Sequence, residues 1–510
     1  MENSKITRFG YILNKKDISE EEIIKLKSDL IVKPYKPGNY GKFAKDNSFP
    51  SYYENGDYLS IPKYFGIDKY GEPPINKINS TKFPQQDIKY TGKLRPKQQI
   101  IVDKIFNGFD NGGGGLLIAG CGSGKTNMAI YIACKYKLKT LFVIHKGFLK
   151  KQIIDRILST TNVTHVGELQ QKKIDTDHPF VVGMIQSLIT GKYSDDIYRD
   201  FGMIIIDEVH HYSAANFSKF LRQTTTKYML GITAERHRND GTYKLLNWYL
   251  GPILHAEEQQ PNDMVVVKKY IYTSSNEKRT KTIINKYTRE PDRSTMITNL
   301  VHIKRRNRFI FNLISELFDQ GKNILLLTGR INQVNVINKL IRRDPTLRKS
   351  VGKYLGGMSD KDLAKSSTKQ IILGTYSMAE EGLDIENLNV VILCTPKSAI
   401  KQSVGRILRK EVYEEHPIVI DIVDIDVDIF KSQSNRRNTY YLKQKYNIQE
   451  FKISDYEEKG YNMYDNIEFI EKSLKKIPSK NKKKYNNNNK SHDIVIPAKI
   501  NVEDIIFADD

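Results

Sequence analysis

The apolar run Leu116-Leu117-Ile118-Ala119 leads directly into Gly120-Cys121-Gly122-Ser123-Gly124-Lys125-Thr126, and a helix-compatible segment follows from Asn127 to Lys135. An apolar strand that enters a glycine-rich turn and opens a helix leaves few folds available. It is the corner of a largely parallel α/β sheet. In that turn Gly120, Gly122 and Gly124 remove the Cβ atoms that would stop backbone N–H groups, Ser123's among them, from curling round an anion. Lys125 can reach the outer phosphates of a nucleotide, and the Thr126 hydroxyl suits a ligand position on Mg²⁺. The helix start adds the positive end of its dipole. Ala119 occupies the first position of the pattern. A plain glycine-rich connector is the competing reading, and the rest of the chain decides against it.

Further buried-type runs follow at regular intervals: Thr140 to His145, Pro179 to Ser187, Met203 to His211 and Tyr228 to Glu235. Each is continuous and apolar with a polar tip, and helical segments separate them. That alternation predicts parallel strands covered on both faces, with ligands at the strand C-terminal ends. Gly251-Pro252 interrupts the series. It resumes with Val265 to Tyr272, Asn323 to Arg330, Gln370 to Thr375, Val390 to Thr395 and Ile418 to Asp424. Between them Phe309, Ile310, Leu313, Ile314 and Leu317 recur at helical spacing. The expectation is two α/β lobes of similar plan whose strand C-terminal ends face each other.

The chemistry-bearing residues sit on those tips. Asp207, ending an apolar strand, can hold Mg²⁺ through water, and Glu208 can orient or deprotonate an attacking water. His210 is a candidate for coupling nucleotide state to neighbouring segments, with an ordinary hydrogen-bonding histidine as the alternative. Gln98, upstream of the glycine loop, can read an adenine edge, although a surface glutamine looks the same in sequence. The second series has no phosphate loop and carries instead Glu381-Gly382-Leu383-Asp384 and Gln402-Ser403-Val404-Gly405-Arg406-Ile407-Leu408-Arg409. On a helix Arg406 and Arg409 share a face, and two guanidiniums directed across a cleft could neutralise a transferring phosphoryl group. Gln402 could help to position the water.

The flanks are less informative. Residues 1–90 form an expected accessory module, 91–252 the first lobe, 253–430 the second, and 431–510 a charged helical extension. Tyr58 to Gly66 mixes aromatics with lysine. Such a stripe can stack on bases, but plain core accounts for it as well. Lys482 to Lys484 and Asn486 to Asn489 are low-complexity and are expected to stay flexible, and Ile494 to Ile506 regains apolar character. The formal net charge of the 510 residues is +22, spread along the chain, which suits a polyanionic partner. The three cysteines have no metal-type spacing and no apolar run reaches membrane length, so a soluble intracellular protein is expected.

The ordered set from Gln98 to Arg409 resembles the motor of superfamily 2 helicases. The Asp207-Glu208-Val209-His210 box and Arg238-x-Asp240-Gly241 most resemble the XPB/UvsW branch, which includes poxvirus-type transcript-release helicases and relatives in large DNA viruses. The resemblance implies tandem RecA-like lobes with ATP and Mg²⁺ between them. It makes Lys125 and Thr126 phosphate and metal ligands, Asp207 a metal ligand and Glu208 the catalytic base. Gly120, Gly122, Ser123, Gly124, Gln98, Gly382 and Asp384 would contact nucleotide, and Gln402, Arg406 and Arg409 would complete the site. Lys146, Gln186, Arg330 and Thr375 would contact nucleic acid, chiefly its backbone, with Thr233 linking that surface to the cleft. Thr233-Ala234-Glu235 departs from the family's usual Ser/Thr-Ala-Thr, which puts strand separation more in question than ATP hydrolysis. The expected activity is an ATP-driven motor on nucleic acid, DNA favoured over RNA, in the host cytoplasm or nucleus, or packaged in the virion if the chain is viral. Transcription or replication machinery is the expected partner. The alternatives are an RNA helicase and an ATP-gated remodelling subunit that does not separate strands.

Overall fold

A computed structural model describes residues 3–34, 47–80, 84–120, 122–190, 193–212, 214–235, 242–257, 264–381, 385, 387–408, 415–454 and 468–470. The low-complexity and apolar segments beyond residue 470 lie outside this set. No helix among the described residues is long and apolar enough to cross a membrane.

The chain opens with strands β1 (Lys5–Thr7), β2 (Gly10–Asn14), β3 (Ile31–Val32), β4 (Phe49–Pro50), β5 (Tyr53–Asn55), β6 (Tyr58–Ile61) and β7 (Ile75–Asn76). Five of them form a sheet in the order β5-β6-β2-β1-β7, while β3 and β4 pair separately. The aromatic segment at 58–66 supplies β6 and the start of the helix Lys63–Tyr70, with Leu59, Ile61 and Tyr64 buried. Tyr64 Oη donates to the Gly112 carbonyl at 2.8 Å, and Phe65 meets Trp248 edge to face with ring centroids 5.1 Å apart. These rings pack the module onto its neighbour.

The first lobe contains β8 (Gly114–Ile118), β9 (Thr140–Ile144), β10 (Gly167–Gln170), β11 (Lys173–Asp175), β12 (Phe180–Met184), β13 (Met203–Ile206), β14 (Tyr228–Thr233) and β15 (Ile253–Ala256). They make one eight-stranded sheet in the order β11-β10-β12-β9-β13-β14-β8-β15, parallel except for the β10–β11 hairpin. Apolar runs without alternation are required here because both faces are covered. Leu141, Val143, Ile204 and Ile206 enter the core on one side, and Phe142, Ile144, Met203 and Ile205 the core on the other. Each such fully buried aliphatic side chain contributes about 1.5–3 kcal/mol relative to exposure.

The second lobe repeats the plan with β16 (Val266–Thr273), β17 (Ile324–Thr328), β18 (Val351–Tyr354), β19 (Ile371–Thr375), β20 (Val390–Leu393), β21 (Ile418–Asp424), β22 (Asn447–Ser454) and β23 (Glu468–Ile470). Its order is β18-β19-β17-β20-β21-β16-β22-β23, parallel except for the last pair. The helix Lys304–Asp319 buries the five expected apolar residues, and it also buries Arg306 and Asn307.

Two sequence boundaries differ from expectation. Gly251, at φ +105°, turns the chain but does not end the first sheet, because β15 lies parallel to β8 beyond it. After the helix Asp428–Lys443 the chain does not remain helical, and β22 pairs with β16 from Asn447 to Ser454. In β22 Ile448 packs against the core on one face of the sheet, and Phe451 and Ile453 against the core on the other.

Candidate active site

The glycine loop joins β8 to the helix Lys125–Tyr136. Gly122 and Gly124 adopt φ of +81° and +82°, a region that side chains resist. A Cβ on Gly124 would lie 2.2 Å from Gln98 Nε2, so glycine is required there twice over. Lys125 is buried, and its Nζ donates to the Ala119 and Gly120 carbonyls at 3.0 and 3.1 Å. Ser123 Oγ donates back to the Gly120 carbonyl, and Thr126 is half-buried on the first helical turn. The Gly120 N–H donates to Glu257 Oε2 at 2.8 Å, so a carboxylate oxygen already occupies part of the anion cradle.

Gln98 is nearby but turned inward. Its Oε1 accepts from the Arg95 N–H and its Nε2 donates to the Ser123 carbonyl, each at 2.8 Å. Its amide braces the loop from the start of the helix Pro96–Gly112, and Arg95 Nη2 adds a bond to the Gly122 carbonyl.

At the end of β13 Asp207 is buried, and burial pushes its carboxyl up to about 7. The neighbouring Glu208 charge adds to the rise and Lys125 opposes it. Glu208 takes a left-handed backbone, φ +46°, which is costly for a side-chain-bearing residue and turns its carboxylate away from the strand. Glu208 Oε1 lies 3.9 Å from Lys125 Nζ, and Oε2 accepts from the Ala234 N–H at 3.2 Å.

His210 joins this acidic corner to the second lobe. Its Nδ1 is 2.6 Å from Thr233 Oγ1 and 3.4 Å from Glu208 Oε2, and its Nε2 is 3.2 Å from Gln402 Nε2. The glutamine amide also donates to Glu235 Oε1 at 3.4 Å, which fixes its orientation. The imidazole thus sits between the Glu208 carboxylate and the Gln402 amide, with Glu235 Oε1 3.7 Å from its Nε2. Lys401 Nζ adds a second inter-lobe bond, to the Ala234 carbonyl at 2.9 Å.

The helix carrying Gln402 spans only Lys401–Val404. The helical placement expected for Arg406 therefore does not hold: Gly405, a poor helix residue, follows at once, and Arg406 lies in a turn with its Nε donating to the Ala379 carbonyl. Arg409, Gly382, Asp384 and the Arg238 to Gly241 segment lie outside the described residues.

The residues expected to touch nucleic acid stand at strand C-terminal ends. Lys146 caps the helix Gly147–Thr160, and Gln186 Nε2 donates to the His145 carbonyl at 2.7 Å. Across the second lobe a cleft of about 530 Å³ is lined by Thr328, Gly329, Thr375, Ser377, Thr395 and Lys397. Arg330 borders this region, but its guanidinium is spent on the helix Arg293–Val301, bonding Thr298 Oγ1 and both Ser294 oxygens, and on the Gly329 carbonyl. Two buried arginines fix the cleft's far wall, Arg306 through the Cys394 carbonyl and Arg437 through the Lys397 carbonyl. Glu257, Lys401 and Lys397 carried no sequence signal of their own. Lys401 is adjacent to Gln402 and could have been found by that proximity.

Residues 91–237 match the family described as "Type III restriction enzyme, res subunit". The chain is 60% identical over 477 residues to the provisionally named ATP-dependent RNA helicase L396 of Acanthamoeba polyphaga mimivirus, covering 93% of this chain and 92% of that one. It is 24% identical to the provisionally named helicase 161L of Invertebrate iridescent virus 6, over 70% of this chain and 83% of the relative. Among solved structures, T4 UvsW aligns over 86% of this chain and 97% of its own at 16% identity, with a TM-score of 0.35. The likeness to L396 covers almost the whole length of both proteins, and on that ground the chain belongs to the ATP-hydrolysing superfamily 2 helicases of large DNA viruses.

Proposed function

We propose that this helicase is a translocating motor that favours DNA and moves by grasping the backbone alternately with its two lobes. The observation that carries the proposal is the contact chain from Lys125 through Glu208 and His210 to Gln402 and Glu235, which brings parts of both lobes to one catalytic corner. In this reading the Gly120–Lys125 loop receives the triphosphate, and the Glu257 carboxylate on the Gly120 N–H marks where a phosphate oxygen would lie. Lys125 moves from its two carbonyl acceptors to the phosphates. Glu208 Oε1 takes the proton of the attacking water, and the Ala234 N–H and His210 hold Oε2 still. Arg406, and Arg409 with it, would stabilise charge on the transferring group after lobe closure.

Asp207 and Thr126 fit a divalent cation: a buried carboxyl pushed up by desolvation gains most from a nearby positive charge. When bound, Mg²⁺ would neutralise phosphate charge. Gly382 and Asp384 complete the proposed nucleotide contacts, and Gln98 supports the loop without reading the base.

Lys146, Gln186 and Thr375, with Thr395 and Lys397, form the proposed backbone track, and Arg330 shapes it through the helix Arg293–Val301. Backbone contact implies little sequence preference and strong salt dependence. Thr233 and His210 would transmit lobe movement to Glu208. The DNA preference rests on the XPB/UvsW-type motif set. The name carried by the mimivirus relative favours RNA as the second reading. ATPase rates titrated with single-stranded DNA, duplex DNA and RNA, beside a strand-displacement readout, separate the two. Stimulation by RNA alone would reject the DNA assignment, and stimulation without displacement would favour a remodelling subunit.

A further inference from the structure

At the opposite edge of the first lobe, three side chains unconnected with the nucleotide converge. His165 lies in the loop before β10, Asp175 ends β11 and His178 sits in the turn before β12. His165 Nε2 is 3.1 Å from Asp175 Oδ2, and His178 Nε2 is 2.9 Å from Asp175 Oδ1. The two imidazole centroids are 4.3 Å apart, and one ligand-capable atom from each residue falls within 4.8 Å of the others. The backbone is shaped for this approach: a Cβ on Gly167 would stand 2.3 Å from the Asp175 carbonyl oxygen and 3.1 Å from the His178 ring.

We propose that His165, Asp175 and His178 form a binding site for a divalent transition-metal ion of the zinc type. Two neutral imidazoles and one carboxylate match the donors such ions choose, whereas Mg²⁺ and Ca²⁺ prefer oxygen throughout. Ligand atoms about 2.0–2.1 Å from a tetrahedral ion stand roughly 3.3 Å from one another. One ligand atom from each of the three lies within 4.8 Å of the others, so they need to draw together by at most about 1.5 Å to reach that spacing. Lys173, on the same strand as Asp175, is already paired with Glu168 at 2.7 Å, which blunts its repulsion of a cation. With three protein ligands the fourth position belongs to water.

Such an ion would clip the β10–β11 hairpin to the segments on either side of it, at a sheet edge that otherwise exposes unpaired backbone. Six strand spacings separate β11 from β8, about 29 Å at roughly 4.8 Å each, so the site is remote from the phosphate loop. Its occupancy should therefore be readable without reference to ATP hydrolysis.

The test uses the full chain after treatment with chelator. Zn²⁺ titrated calorimetrically should bind one equivalent per chain, and Co²⁺ should develop the visible absorption of a four-coordinate ion. Asp175→Asn and the double variant His165→Ala/His178→Ala should each weaken binding at least tenfold and abolish the cobalt band. All three positions are partly exposed, so folding should survive. Zinc should raise the melting temperature of the wild type and not of the double variant. Equal zinc affinity in wild type and double variant, or a cobalt spectrum indifferent to the substitutions, would overturn the proposal.

Discussion

Replacing Arg306 by leucine tests how the second lobe holds its cleft. Arg306 and Asp424 have side chains 0% and 3% exposed, joined Nε to Oδ1 at 2.7 Å and Nη2 to Oδ2 at 2.8 Å. The same Nη2 donates to the Cys394 carbonyl at 2.6 Å, immediately before the Thr395 to Lys397 wall. Breaking a buried pair by removing one partner costs about 3–5 kcal/mol, because the other charge is left uncompensated. At about 1.4 kcal/mol per decade, that is roughly a 10²- to 10⁴-fold loss of protection against hydrogen exchange in β20 and β21. Peptide-resolved exchange is the right assay, since a chain with several lobes need not unfold in one step. Arg306 Nη1 is buried without a hydrogen-bond partner among the described residues, so the pair is imperfectly satisfied. Arg306→Leu/Asp424→Leu together should therefore recover most of the loss. Burial already pushes Asp424 upward against the pull of Arg306. With that pull gone, an acid whose folded-state value is raised favours folding while protonated, and the single variant should lose stability as pH climbs above the ordinary carboxylate range. Single-variant losses that simply add in the double variant would refute the reasoning.

Glu208→Gln should lower the ATPase turnover about 10²- to 10⁴-fold while nucleotide binding persists, as equilibrium binding beside steady-state kinetics will check. Glu257→Gln removes a charged acceptor from the Gly120 N–H and should tighten nucleotide affinity by about three- to tenfold, since a charged hydrogen bond is worth roughly 1.5–3 kcal/mol before screening. Unchanged affinity would show that the carboxylate does not compete. Glu235→Thr removes the acceptor that orients Gln402 and should change strand displacement per ATP by about two- to tenfold, on the scale of one modest hydrogen bond. An unaltered ratio would separate Glu235 from coupling. Burial pushes the Cys134 and Cys394 thiols up to about 12, so neither should react with iodoacetamide until the protein unfolds, which peptide mass spectrometry can follow.

The parts legible in the sequence were those whose causes are local. A run such as Met203 to Ile206 has no polar face to expose and is mostly β-branched, which favours a strand covered on both sides. The glycine loop declares itself because its backbone shape demands its residues. Arg306 and Arg437 were hidden for the opposite reason: in a basic chain they look like solvated surface, and only their partners Asp424 and Asp421, on the neighbouring strand β21, explain their burial. Glu257 was invisible because its role arises from β15 returning beside β8. Gln98 is expected near the loop from its place in the chain, but whether its amide faces outward or inward is set by Arg95 and Ser123. The His165, Asp175 and His178 spacing follows no local metal motif, since the hairpin register brings the three together.

Trp248, the chain's one tryptophan, packs against Phe65 at the seam where the leading module rests on the first lobe, with the Lys244 ammonium 4.8 Å above its ring. The protein thus carries a built-in optical gauge whose signal comes from that seam alone. Emission recorded through a burst of turnover would reveal whether the leading module rides along as fixed cargo or lifts away with each stroke.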